Sequence, residues 1–125
     1  MQSPGNHRRI RILNISPDES SLMSRQALLQ SCNCDVISER RPHEGIAQLK
    51  SGPFDLAIVC YSIPTEQRKK LINDIRATRP VPVLSIYSGP ETRDGIADCE
   101  LDVYEGPRAL IDAVQSCIDN NSTAA

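Results

Sequence analysis

Short apolar runs alternate with stretches of helical spacing along the whole chain. Arg11-Ile12-Leu13-Asn14-Ile15 is rich in β-branched residues and stops at Ser16-Pro17, which predicts a first strand ending in a sharp turn. Ser16-Pro17-Asp18-Glu19 then offers a hydroxyl at the N-cap, a proline at the first helical position and a glutamate that completes a capping box. In the helix that follows, Leu22, Met23, Ala27, Leu28 and Leu29 recur at three- and four-residue spacing. Asn33 suits a left-handed stop before a second strand over Cys34 to Ser38.

The alternation continues. Pro42 to Lys50 reads as a second helix with Ile46, Ala47 and Leu49 apolar, closed by Gly52-Pro53. Phe54 to Cys60 is almost unbroken in its apolar character, the pattern of a central parallel strand buried on both faces. After Pro64, Thr65 to Thr78 places Leu71, Ile72 and Ile75 on one helical face, with Arg68, Lys69, Lys70 and Arg76 expected largely elsewhere. Val81 to Tyr87 reads as a fourth strand, with Pro82 near its start where a missing donor is tolerated. Gly89-Pro90 and Gly95 make any helix over Ser88 to Asp98 short or distorted, and Leu101 to Tyr104 is a weak fifth strand. From Pro107, Leu110, Ile111, Ala113, Val114, Cys117 and Ile118 mark an amphipathic last helix. The expected fold is α/β: a (βα)5 doubly wound, five-stranded parallel sheet in a three-layer sandwich.

Composition narrows the class. The 125 residues suit one domain and leave no room for a separate output module. A net charge of −2 without long runs of one sign gives no nucleic-acid footprint and no polybasic membrane patch. The cluster Arg68-Lys69-Lys70 lies beside Glu66 and Asp74, and Arg40-Arg41 beside Glu39 and Glu44, so both are read as solvated faces. The longest apolar stretches are far shorter than the roughly 20 residues of a membrane span, and Met1 to Arg11 is followed by no signal-type apolar region. A cytoplasmic location is expected. The five cysteines, at 32, 34, 60, 99 and 117, match no zinc or CxxC spacing, so reduced thiols are expected. Cys34 reads as the buried start of a strand and Cys32 as partly exposed. No GxGxxG or GxxxxGK pattern follows any strand, and no nucleotide cofactor or metal is expected.

This element order, together with the phrase Gly52-Pro53-Phe54-Asp55-Leu56-Ala57-Ile58-Val59-Cys60-Tyr61-Ser62-Ile63-Pro64, resembles the CheY-like receiver domain of two-component response regulators. The resemblance runs over 9–119, with 1–8 and 120–125 expected as disordered tails. It implies a phosphoacceptor aspartate four residues before Pro64, where this chain has Cys60. It implies two acidic Mg²⁺ ligands after the first strand, where Ser16 and Pro17 stand with Asp18 just beyond. A hard cation wants several oxygen ligands, so one displaced carboxylate is a poor substitute. The Ser or Thr that ends the fourth strand maps to Tyr87 or Ser88. The lysine of the fifth maps to Glu105 or Gly106, and the last lysine in the chain is Lys70. The span between those strand ends is shorter than usual by about one helical turn, or four residues. Tyr104 does not align with the aromatic switch position.

Three functions follow as expectations. The first is a stand-alone, non-enzymatic pseudo-receiver that binds a protein partner of a signalling pathway without aspartyl phosphorylation. Its partner face would be Leu101 to Ile118, which could also support a homodimer. The second is a redox or modification switch at Cys60, which lies where open α/β sheets bind ligands. Nothing near it in the sequence supplies activation, since the only histidines are His7 and His43. The third is a phosphorylatable regulator with an atypical site, for which Asp55 lies at the wrong end of its strand.

Overall fold

The computed structural model describes residues 9–123; the tail expected over 1–8 lies outside the described residues, as do positions 124 and 125. Five strands, β1 (Arg11–Ile15), β2 (Asp35–Glu39), β3 (Leu56–Cys60), β4 (Val83–Tyr87) and β5 (Cys99–Asp102), form one sheet in the order β2-β1-β3-β4-β5. All its pairings are parallel. Four α-helices connect and follow them: α1 (Glu19–Ser31), α2 (Pro42–Ser51), α3 (Thr65–Thr78) and α4 (Pro107–Thr123). The last helix runs past Asp119, the residue at which the sequence placed the end of the domain, as far as Thr123.

Strand periodicity divides the core in two. Ile12, Ile58, Leu84 and Ile86 point to one face and pack under Leu29 of α1 and Leu110, Val114 and Cys117 of α4. Leu13, Ala57, Val59 and Val83 point to the other, under Leu49 of α2 and Leu71, Ile72 and Ile75 of α3. Every residue of β3 is buried, as its unbroken apolar run requires of a strand covered on both faces. Gly45 lets α2 pack closely on the sheet, since a Cβ there would lie 2.5 Å from Ile15 Cδ1.

Several boundaries depart from the sequence reading. Helix α1 begins at Glu19 with Asp18 as its N-cap, its carboxylate accepting from the Ser21 N–H at 2.9 Å. The expected cap, Ser16, is instead buried and bonded elsewhere. Asn33 does take the left-handed conformation, at φ 67°. Strand β5 ends at Asp102, whose carboxylate accepts from Tyr104 N–H and starts a 3-10 turn over Val103–Glu105.

The fourth crossover carries no α-helix, in line with the short or distorted helix expected over Ser88 to Asp98, so the doubly wound sheet is built of five strands and four helices. Between β4 and β5 only Pro90–Thr92 forms a 3-10 turn, flanked by Gly89 and Gly95 at φ 87° and 75°. A buried ion pair takes over the helix's packing role. Arg68, expected on a solvated face, is fully buried, with its Nε 3.2 Å from Asp94 Oδ2. Arg68 also donates to the carbonyls of Ile63 and Thr92, and Ser85 Oγ donates to Asp94. The second Asp94 oxygen accepts from the N–H groups of Ile96 and Ala97, which turns those two residues onto the α2–α3 core.

Burial pushes the Asp94 carboxyl up, but the bonds from Ser85, Ile96, Ala97 and Arg68 outweigh it and hold the group below the ordinary carboxylate value. A depressed folded-state pKa gives stability that is present above about pH 4, the unfolded value, and lost as pH falls through the folded one. Asp94→Ala leaves a buried guanidinium unpaired and is expected to destabilise by about 3–5 kcal/mol in urea denaturation. The double variant Arg68→Leu/Asp94→Ala should recover much of that loss, and acid sensitivity should drop in both.

Candidate functional site

The carboxyl ends of β1 and β3 meet over a buried polar cluster that no local sequence phrase announces. Asn14, inside β1, lies on the α1 side of the sheet with no access to solvent. Its amide nitrogen donates to Leu22 O and to Ser38 Oγ, both at 3.1 Å. Its oxygen accepts from Arg25 Nη1 at 3.3 Å. Arg25 reaches in from α1 because position 25 falls between Leu22 and Leu29 on the buried stripe of that helix. It is 7% exposed, and its Nη2 lies 3.6 Å from Cys60 Sγ.

Cys60 ends β3 and is fully buried. Burial alone would push its thiol up. The Arg25 guanidinium and the hydrogen bonds from Ser62 and Arg25 more than offset that and bring it below the ordinary cysteine value. The sequence offered no activating group; the structure supplies a cation from α1 instead of a histidine. This geometry favours a thiolate electrostatically while closing the sulfur to solvent.

Around this core the remaining candidates fall into two groups. Ser16 is fully buried, with its Oγ 3.1 Å from Ser62 Oγ and accepting from Asp18 N–H at 3.3 Å, so β1 and β3 are tied together at their carboxyl ends. Pro17 and Asp18 are exposed, and Asp18 is committed to capping α1, with the Ser21 bonds keeping its carboxyl below the usual range. The other group stands apart. Tyr87 lies under the Arg93 guanidinium at 5.1 Å, and Ser88 N–H donates to Thr92 Oγ1 at 2.7 Å. Glu105 is exposed, and Gly106 turns the chain at φ 91° into α4. None of these four residues has a bond to Cys60 or Arg25 among the described contacts.

Among the described residues no group of three His, Cys, Asp or Glu side chains could hold a metal ion, and no helix is long and apolar enough to cross a membrane. All five cysteines are free thiols, with Cys34 buried and Cys32 exposed as their positions predict.

Solved structures place this architecture. A response regulator receiver domain (CheY-like) from Methanospirillum hungatei JF-1 superposes with a TM-score of 0.78 at 22% identity, over 94% of this chain and all of that one. The chain has the CheY-like receiver fold. A receiver domain protein from Clostridium thermocellum matches at 0.77 and 16% identity over 93% of this chain and 99% of its own. A two-component response regulator from Clostridium difficile matches at 0.76 and 15% identity, over 89% and 97%. No protein-family model and no curated protein matches the sequence. With the receiver fold in hand, the polar cluster lies at the carboxyl edge of the sheet, where open α/β sheets place their ligands.

The electrostatic account of Cys60 is directly measurable. The difference in thiolate absorbance between the protein and its Cys60→Ala variant should titrate below the ordinary cysteine value, and Arg25→Met should move that component up. A thiol reagent added to native protein should label Cys32 and reach Cys60 only after unfolding, as peptide mapping would report.

Proposed function

We propose that the chain is a receiver-fold signalling domain that acts by binding a protein partner, without aspartyl phosphorylation and without catalysis. The observation that carries this reading is the Arg25 guanidinium beneath the carboxyl ends of β1 and β3, 3.6 Å from Cys60 Sγ. A phosphoryl-accepting receiver needs a carboxylate at the end of the third strand and further acidic ligands for Mg²⁺. Here the corresponding positions are Cys60, Ser16 and Pro17. A fixed cation at that place repels a divalent metal, and Asp18, the nearest carboxylate along the chain, is already spent on capping α1. With Tyr87 or Ser88 and Glu105 or Gly106 at the two remaining positions, the pocket has neither acid to modify nor lysine to respond.

The partner face assigned to this domain is Leu101 to Ile118. At its edge Tyr104 is 81% exposed, held outward by the Asp102 turn. A large aromatic in that position suits an interface anchor. A second copy of the chain is one partner this face could take, and neither nucleic acid nor membrane is assigned. A cytoplasmic setting accords with the reading.

One observation favours a second reading, a modification switch at Cys60: the Arg25 cation lowers the thiol pKa. Its complete burial opposes that chemistry, so the switch would require local opening of the structure around it. A phosphorylatable site elsewhere has weaker support. Asp55 sits at the amino end of β3, where its carboxylate accepts from Arg11 N–H at 2.8 Å.

Amide NMR of the folded protein titrated with Mg²⁺ and then beryllofluoride tests the main reading. No saturable shifts around Ser16, Asp18 and Cys60 are expected. Saturable shifts there would restore a phosphorylation-type switch, whereas shifts at Cys60 that appear only with peroxide would favour the thiol reading.

A further inference from the structure

A groove of about 320 Å³ opens between α1 and the edge formed by β5 and the start of α4. That volume suits a small organic molecule. Its chemistry is divided. Ser21, Ser24 and Arg25 line it from α1, while Leu28, Leu101 and Leu110 give it an apolar side.

Arg25 is the unusual member. A guanidinium is charged at every accessible pH, and a buried charge ordinarily has a paired countercharge. Arg25 has no carboxylate within ion-pair distance among the described residues, although Arg68, the other buried arginine, has Asp94. Its hydrogen bonds to Asn14 and Cys60 meet part of its donor capacity without supplying a formal carboxylate. Five N–H donors arranged in a fork leave capacity for a further acceptor, and a carboxylate fits such a fork in a bidentate manner. Arg25 is also one of the residues that line the groove.

We propose that this groove binds a small organic carboxylate with an apolar body, its carboxylate on Arg25 and its body against Leu28, Leu101 and Leu110. The serines set the mouth. Ser21 and Ser24 stand on the same wall as Arg25 and their hydroxyls can provide further donors, whereas the side chains of the opposite wall, Leu101, Val103, Pro107 and Leu110, are apolar. A bare inorganic anion would use only half of the groove, and a neutral apolar molecule only the other half. Because Leu101 and Leu110 also belong to the face assigned to a protein partner, ligand occupancy would couple to that contact. The site nevertheless stands on Arg25 and the groove alone, whether or not a protein binds there.

Amide-shift mapping of the full chain with hexanoate, hexanamide and inorganic phosphate as probes tests the proposal. Hexanoate should give saturable shifts at Ser21, Ser24, Leu101 and Leu110, with hexanamide and phosphate each weaker by about ten-fold or more. Arg25→Met should abolish the hexanoate shifts. Since that substitution also removes bonds to Asn14 and Cys60, Ser24→Trp on the exposed side of α1 provides a second variant: it should fill the groove and remove binding while leaving the fold's spectrum intact. Equal affinity for hexanoate and hexanamide would overturn the proposal by showing an apolar crevice without anion recognition. So would phosphate binding as tightly as hexanoate, an absence of saturable hexanoate shifts, or hexanoate binding unchanged in Ser24→Trp. A failure here leaves the Mg²⁺ and beryllofluoride result untouched, so the two readings stand or fall separately.

Discussion

The carboxyl edge of this sheet is organised around a buried positive charge. Arg25 projects from α1 into the layer between helix and sheet, where taking a guanidinium from water costs several kcal/mol unless its donors are met. That cost explains the company it keeps. Asn14, an amide in the interior of a strand, gives it an oxygen, and Cys60 at the end of β3 gives it a polarisable sulfur. Asn14 in turn needs Ser38 and the Leu22 carbonyl to satisfy its own nitrogen. Four elements, β1, β2, β3 and α1, are therefore joined by one chain of hydrogen bonds, and replacing any member leaves another unsatisfied. The same charge makes the edge unfavourable for a divalent cation and favourable for a thiolate or an incoming carboxylate, so structure and proposed chemistry have one origin.

A second buried arginine solves a different problem on the opposite face. The segment between β4 and β5 is too short and too rich in glycine and proline for a helix, which would leave the α2–α3 side of the sheet thinly covered. Arg68 and Asp94 pin that segment down, and the Asp94 carboxylate turns Ile96 and Ala97 inward to fill the space. The pair therefore substitutes electrostatics and local turns for the packing of a missing helix. Holding the segment this way also settles the path into β5, where Glu100 meets Arg93 and where Asp102 starts the turn that presents Tyr104 to solvent.

The architecture was largely legible because its signals are periodic. β3 shows as an apolar run, α3 was placed at its observed limits by Pro64 and Pro80, and Asn33 marked the end of α1. Two of the boundaries that shifted were set by a competing cap: Asp18 displaced Ser16 at α1, and Asp102 ended β5 early. The site was legible only as a set of replacements at Ser16, Pro17, Cys60 and the later strand ends. What fills the space was missed, because Arg68 was read by charge and not by position and Arg25 was not singled out at all. Each lies on its helix's apolar stripe, Arg25 between Leu22 and Leu29 and Arg68 one turn before Leu71 and Ile72. A charged residue at a core position is the signal that could have found both. Their partners Asn14 and Asp94 are distant in sequence, and only the fold brings them together.

The central claim, that this receiver fold operates without forming an aspartyl phosphate, is tested most directly by incubating the folded protein with Mg²⁺ and a small phosphodonor such as acetyl phosphate and recording its intact mass. The account predicts an unchanged mass under conditions that modify an ordinary receiver domain run in parallel. A phosphoryl adduct that hydroxylamine removes, the signature of an acyl phosphate, would contradict it.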